Sequence, residues 1–201
     1  EQKMVIHNPL PTSATIKAKS KVTGLVDKGA DKGALILTER TLKDAESGLD
    51  LATLTSTTFA RGNGGYDGPS DEAPRPHKVP EREADFAVDL TTLDMAALIY
   101  RLSGDYNPLH ASPSVAKAAG FPKPILHGLC SLGVAGHAIL KGCCDYDAKR
   151  LKSLQLRFSS PVYPGETMRT EIWRDGANIS FKSKIVERDV VVLDNGHATV
   201  E

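Results

Sequence analysis

The sequence predicts an α+β protein in which antiparallel strands wrap one long buried helix, with that helix confined to the C-terminal half. Three observations carry the prediction. Runs of period-two alternation separated by turn residues occur in both halves; a nearly unbroken small and apolar run, Leu126 to Leu140, is punctuated by Gly128, Gly133 and Gly136; and the first 60 residues lack helical periodicity. Meanders of strands with one glycine-studded helix laid against them make an antiparallel sheet around a single helix.

From Thr15 to Val26, Ile16, Ala18 and Val22 interleave with Lys17, Lys19 and Lys21, which reads as a half-buried strand. The turns Asp27-Lys28-Gly29 and Asp31-Lys32-Gly33 lead to a second strand starting at Ala34, and a threonine-rich third strand runs from Leu49 to Phe59. Residues 61–80 read as a linker dense in glycine and proline. Its glycines do not make a dinucleotide loop, because Gly62 and Gly64 have no third glycine at 67 and no helical pattern after them. The chain thus divides into an N-terminal half over 1–60, the linker over 61–80 and a larger unit over 81–201.

In that unit Asp85 to Leu90 alternates as a strand, and Thr91 or Thr92 caps a short helix with Leu93, Ala96, Ala97 and Tyr100 on one face. Ser103-Gly104 ends it. After the loop Asp105-Tyr106-Asn107-Pro108-Leu109-His110, Ser112-Pro113 opens a small helix that Gly120 closes, and Phe121-Pro122-Lys123-Pro124 connects rigidly to the long helix. Three or four strands follow, at 151–159, 167–174, 179–187 and 190–200, with turns at 161–166, Asp175-Gly176 and Arg188-Asp189.

Lysine plus arginine balances aspartate plus glutamate at 25 each in 201 residues, so overall charge gives no argument for nucleic acid or an anionic membrane as partner. The longest apolar stretch, Ile125 to Leu140, is broken by glycines and histidines and falls short of the roughly 20 residues that span a bilayer. No membrane helix is expected. Cys130, Cys143 and Cys144 resemble neither a disulfide framework nor a zinc ribbon, which suits a reducing compartment.

Chemistry concentrates between Tyr100 and Gly128. Asp105 and His110 flank the Asn107-Pro108 turn, and a carboxylate and an imidazole on a proline-stiffened segment can share one water in acid/base work. Each also has a plainer reading: Asp105 as a solvated turn residue, Asn107 as the turn's initiator. Gly128 opens the long helix, where an N–H outside the helix ladder can donate to a developing negative oxygen; tight packing against the sheet is the compatible alternative. His127, beside a helix-starting glycine, reads as a structural hydrogen-bonding residue. Cys130 and Phe158 read as core and Lys28 as a surface lysine. Ser131 lacks a nucleophile-elbow frame, and His110, His127 and His137 lack the spacing of a helical zinc site, so no metal is expected.

The stretch Y-R-L-S-G-D-Y-N-P-L-H, followed by I-L-H-G-L-C from Ile125, resembles the hydratase 2 motif of MaoC-like enoyl-CoA hydratases, and R-F-S-S-P-V-Y-P-G-E from Arg157 resembles that family's strand and turn after its central helix. The N-terminal meander through Gly64-Gly65-Tyr66-Asp67-Gly68 is similar to the non-catalytic half of the hydratase 2 part of peroxisomal multifunctional enzymes. The resemblance implies a double hot-dog fold that keeps its long helix only in the C-terminal half, and reversible hydration of trans-2-enoyl-CoA to (R)-3-hydroxyacyl-CoA in fatty acid β-oxidation, without cofactor or metal. It assigns Asp105 and His110 to the catalytic water, Asn107 to the support of that water and the loop, and the Gly128 amide to the thioester oxygen. Tyr106, Pro108 and Leu109 would line the substrate site, Lys28 would reach CoA, and Phe158 would pack near the acyl or pantetheine arm. A homodimer and a peroxisomal location, or otherwise a cytoplasmic one, follow by resemblance only. Glu1-Gln2 resembles the part just after a His-Gly pair in the family, so the opening strands of the first hot dog are expected to precede this sequence. Two alternatives stand beside this reading: a dehydratase acting on carrier-protein thioesters, and a non-catalytic acyl-CoA-binding module.

Overall fold

The computed structural model describes residues 1–70 and 73–201. Among these residues nine strands form one antiparallel sheet: β1 (Gln2–Ile6), β2 (Ile16–Asp27), β3 (Ala34–Asp44), β4 (Asp50–Ala60), β5 (Phe86–Thr91), β6 (Leu151–Phe158), β7 (Thr167–Asp175), β8 (Asn178–Ile185) and β9 (Val190–Val200). Their spatial order is β2-β3-β4-β1-β6-β9-β8-β7-β5. The order β1-β4-β3-β2 is mirrored by β6-β9-β8-β7, so the two halves meet at the β1–β6 seam.

Strand β1 is absent from the sequence reading. Five residues without clean alternation give little periodic signal, yet β1 pairs with a strand on each side, Met4 lying opposite Leu54 and Leu154. Its pairing is a tertiary fact that local pattern does not encode. The other eight strands follow the expected order.

The long helix, α3 (Gly128–Cys143), follows two short helices, α1 (Ala96–Tyr100) and α2 (Pro113–Ala118). No helix precedes Ala96 among the described residues. The buried side chains of α3, Ala135, Ala138, Ile139 and Cys143, join a core with Leu154, Met168, Ile172, Phe181 and Leu193. Fully burying a side chain such as Ile139 or Phe181 stabilises by roughly 1.5–3 kcal/mol. Gly142 permits close approach to β5, since a Cβ there would lie 2.7 Å from the Phe86 ring.

The expected cap of α1 is corrected. Met95 is the N-cap, while the Thr92 hydroxyl donates to the Glu166 carbonyl and accepts the Gly165 N–H, both at 3.0 Å. Thr92 is spent on the turn before β7, and Leu93 is 64% exposed rather than on a buried face. Among the described residues no helix is long and apolar enough to cross a membrane.

The segment expected as a linker holds no helix or strand among its described residues; residues 71 and 72 of it lie outside them. Its glycines have a defined task. The buried Asp27 carboxylate accepts N–H bonds from Gly29 (2.8 Å), Gly65 (2.7 Å) and Gly68 (3.4 Å), and those donors hold its pKa down to about 2. Gly64 is obligatory here, because a Cβ would overlap the Gly29 and Gly33 carbonyls. The glycine-rich stretch cradles an anion after all, and the anion belongs to the chain.

Candidate active site

The loop between α1 and α2 is built by its own polar side chains. Asp105 Oδ1 accepts the Asn107 N–H at 3.2 Å, and Asn107 Oδ1 in turn accepts the Leu109 N–H at 3.0 Å, capping the 3-10 turn Pro108–His110. Proline at the first turn position fixes the backbone without losing a needed donor. Asn107 therefore initiates the turn, and its amide nitrogen has no partner among the described residues.

His110 is half-buried, and its Nδ1 lies 2.8 Å from the Ile125 carbonyl. A carbonyl only accepts, so Nδ1 carries hydrogen and the neutral ring presents its lone pair at Nε2. That is the tautomer a general base needs.

His127, 1% exposed, stacks on His110 with ring centroids 3.8 Å apart and meets the Tyr100 ring at a tilt, centroids 4.6 Å apart. Its Nε2 lies 3.2 Å from the Asp105 carbonyl, which assigns the hydrogen to Nε2 and leaves a buried Nδ1 without a partner. Burial pushes its pKa down against the opposing pull of the Asp105 carbonyl, so the ring is held neutral. The same burial pushes the Tyr100 phenol and the Cys130 thiol up, keeping both protonated. Cys130 is thus no nucleophile.

Asp105, His110 and His127 each bring a donor atom within 4.8 Å of the other two. The two imidazoles are inclined by only 25°, so their in-plane lone pairs run side by side instead of converging on one ion. This donor set suits a shared proton and water better than a metal.

Gly128 is the first residue of α3, and its N–H has no acceptor among the described residues. A helix N-terminus leaves such donors free and adds a favourable dipole. Phe158, at the end of β6, closes over this point: a Cβ on Gly128 would lie 3.3 Å from its ring. Phe158 is 37% exposed, which corrects its reading as core. Tyr106 is 61% exposed, and Pro108 and Leu109 belong to the turn itself.

Lys28 is not in this cluster. It lines a separate open pocket with Asp31, Lys32, Phe59 and Arg61, three cations around a half-exposed aromatic ring. A further cleft, of about 350 Å³, lies beneath Pro74 to His77. Lys3, Gln155 and Arg157 line it, while the alternating Met4 and Leu154 pack into the core with the helix, so it opens on the opposite side of the sheet. It contains no residue of the Asp105–His110 loop. The residue that sequence reasoning undervalued is His127; a lone histidine beside a glycine has no spacing signal, and its stacking on His110 spans seventeen positions.

Residues 76–196 match the family described as MaoC like domain, and residues 1–62 match the MFE-2 hydratase 2 N-terminal domain. The chain is 41% identical over 197 residues to 3-hydroxyacyl-thioester dehydratase Y of Mycobacterium tuberculosis, covering 95% of this chain and 68% of that protein. It is 40% identical to the peroxisomal enoyl-CoA hydratase 2 of Arabidopsis thaliana, covering 96% of this chain and 65% of the relative. The chain therefore spans about two thirds of the length of these relatives. The crystal structure of a MaoC-like dehydratase from Phytophthora capsici superposes with a TM-score of 0.93 at 42% identity, over 100% of this chain and 70% of that one. A Mycobacterium tuberculosis protein described as having a double hotdog fold matches with a TM-score of 0.66 at 15% identity, over 99% and 73% of the two chains, a likeness of fold alone.

Proposed function

The chain belongs to the MaoC-like dehydratase family, with an N-terminal portion of the MFE-2 hydratase 2 type, and from that premise we propose that it catalyses the reversible hydration of trans-2-enoyl-CoA to (R)-3-hydroxyacyl-CoA. One observation carries the reading. An exposed carboxylate and an imidazole with a free Nε2 share one loop with a neutral histidine behind them, beside a helix that starts on an uncommitted N–H.

Addition of water puts its oxygen on C3 and negative charge on the thioester oxygen, and a fixed Gly128 N–H stabilises that enolate-like state more than the ground state. Asp105 and His110 then take the water proton and return one to C2, so hydrogen and oxygen are conserved and no electron is exchanged. The step therefore needs no redox cofactor, and with the Gly128 N–H on the thioester oxygen the proposal invokes no metal. Asn107 holds the loop and offers its free amide to the water. Phe158 beside Gly128 is assigned to the acyl or pantetheine arm, and Tyr106, Pro108 and Leu109 to the mouth of the site. Lys28 is assigned to the CoA end, which the company of Lys32, Arg61 and Phe59 supports by charge and stacking.

The proposed setting is fatty acid β-oxidation in the peroxisome, supported by the name of the plant relative, with a homodimer as the assembly. The proposed functional units are a non-catalytic half over 1–60, a linker over 61–80 and a catalytic half over 81–201. A second reading, dehydration of 3-hydroxyacyl groups on a carrier protein, draws on the name of the mycobacterial thioester dehydratase.

The test is loss of enoyl-thioester absorbance with CoA and carrier-protein substrates, followed by chiral analysis of the product. Asp105→Asn and His110→Ala are each expected to slow hydration at least about a hundredfold. Unchanged rates in both variants would reject the site.

A further inference from the structure

His127 has no role in the reaction as written, yet it is the most constrained side chain of the site. Its ring is 1% exposed, stacks on His110 at 3.8 Å, packs at a tilt against Tyr100 at 4.6 Å, and donates through Nε2 to the Asp105 carbonyl at 3.2 Å. One side chain therefore touches the backbone of the acid and the face of the base. We propose that His127 is a positioning residue: through one ring it fixes the Asp105 backbone and backs the His110 imidazole, holding the pair in register for a shared water.

Each contact does something the other does not. The Nε2–H bond ties the turn to the start of α3, so Asp105 cannot drift when its exposed carboxylate is solvated. The stacked face leaves His110 little freedom to rotate away from the Ile125 carbonyl, which preserves the Nε2 lone pair. A buried acceptor without a partner, the Nδ1 of His127, is an arrangement a purely structural histidine would avoid. The Arg101 Nε is a second buried atom without a partner, and it is a donor where Nδ1 is an acceptor. Burial is the main cause that disfavours the protonated His127 ring, with smaller contributions from His110 and Arg101, against the Asp105 carbonyl and carboxylate.

The inference rests on the hydratase reading for its kinetic arm only. Two variants separate the contacts. His127→Phe keeps a ring against His110 but has no donor for Asp105; His127→Gln places an amide N–H near the position of Nε2 but has no ring. Both are compared with wild type by kcat, KM and thermal unfolding, and by nitrogen chemical shifts of ¹⁵N-labelled histidines. His127→Phe is expected to lose about thirtyfold or more in kcat with KM within about threefold, and His127→Gln to recover to within about fivefold of wild type. Wild-type shifts are expected to show His127 as the Nε2–H tautomer and His110 as the Nδ1–H tautomer, the latter retained in His127→Phe, which keeps the stacked ring, and mixed in His127→Gln, which does not. A His127→Phe rate within threefold of wild type, a His127→Gln no faster than His127→Phe, or a wild-type His127 carrying hydrogen on Nδ1 would each overturn the proposal. If wild type hydrates no enoyl-CoA, the functional reading falls while the nitrogen shifts still decide whether His127 holds the pair.

Discussion

The Ile125 carbonyl selects which nitrogen of His110 is available, and the Asp105 carbonyl does the same for His127. Both tautomers are thus set by backbone groups that no pH change in the working range removes. Gly128 shows how close the fit is on the other side of the site. Gly128→Ala keeps the N–H but sets a methyl 3.3 Å from the Phe158 ring, so the ring must give way. We expect kcat/KM to fall about tenfold with little change in thermal stability, because small displacements at a reacting centre cost disproportionately. Phe158→Ala in the same chain should recover part of the loss, and a double-mutant cycle measures the coupling. At this scale the sequence was informative about Asp105, Asn107, His110 and Gly128, which lie in one short stretch with recognisable turn chemistry. Local pattern reads His127 only as a structural hydrogen-bonding residue and Phe158 as core, because their contacts with His110 and Gly128 cross seventeen and thirty positions.

The elements differ in how much of them periodicity could show. Strands such as β2 and β8 alternate over several residues, and α3 is a single small-residue run, so their existence follows from local pattern. β1 is five residues between two partners, and the start of α1 is set by Thr92 reaching Glu166, a bond invisible until β7 is in place. The turn after β2 is set by Asp27. Its carboxyl is held at about 2 in the folded protein against an ordinary value of 3.8, so the unfolded chain takes up the proton first as pH falls. Asp27 therefore contributes stability that is fully present above about pH 4 and is lost as pH falls through about 2. Acid unfolding of wild type and Asp27→Asn should show this directly: the variant is less stable at neutral pH, and the two curves converge toward pH 2.

The whole molecule is one sheet rather than two, and the halves are joined by the β1–β6 ladder. That seam predicts a single cooperative transition. Urea unfolding followed by fluorescence of Trp173, in the C-terminal half, should coincide with unfolding followed by backbone circular dichroism. Met4→Pro, opposite Leu154 within the β1–β6 pairing, removes a ladder donor and imposes a fixed φ in the seam, at a cost of roughly 3 kcal/mol or more, and should separate the two probes. Superimposable curves in that variant would mean the halves are coupled by something other than β1.

The carboxylate of Asp27 among the N–H groups of Gly29, Gly65 and Gly68 has a consequence beyond the turn itself. The glycine-rich segment behaves as an anion receptor that carries its own guest on a tether, which explains why a stretch with the look of a phosphate loop does not need phosphate. Cutting the tether should leave the receptor vacant. In Asp27→Gly, millimolar formate is expected to restore part of the lost thermal stability where chloride at the same ionic strength does not, a chemical rescue in which a free ion stands in for a side chain.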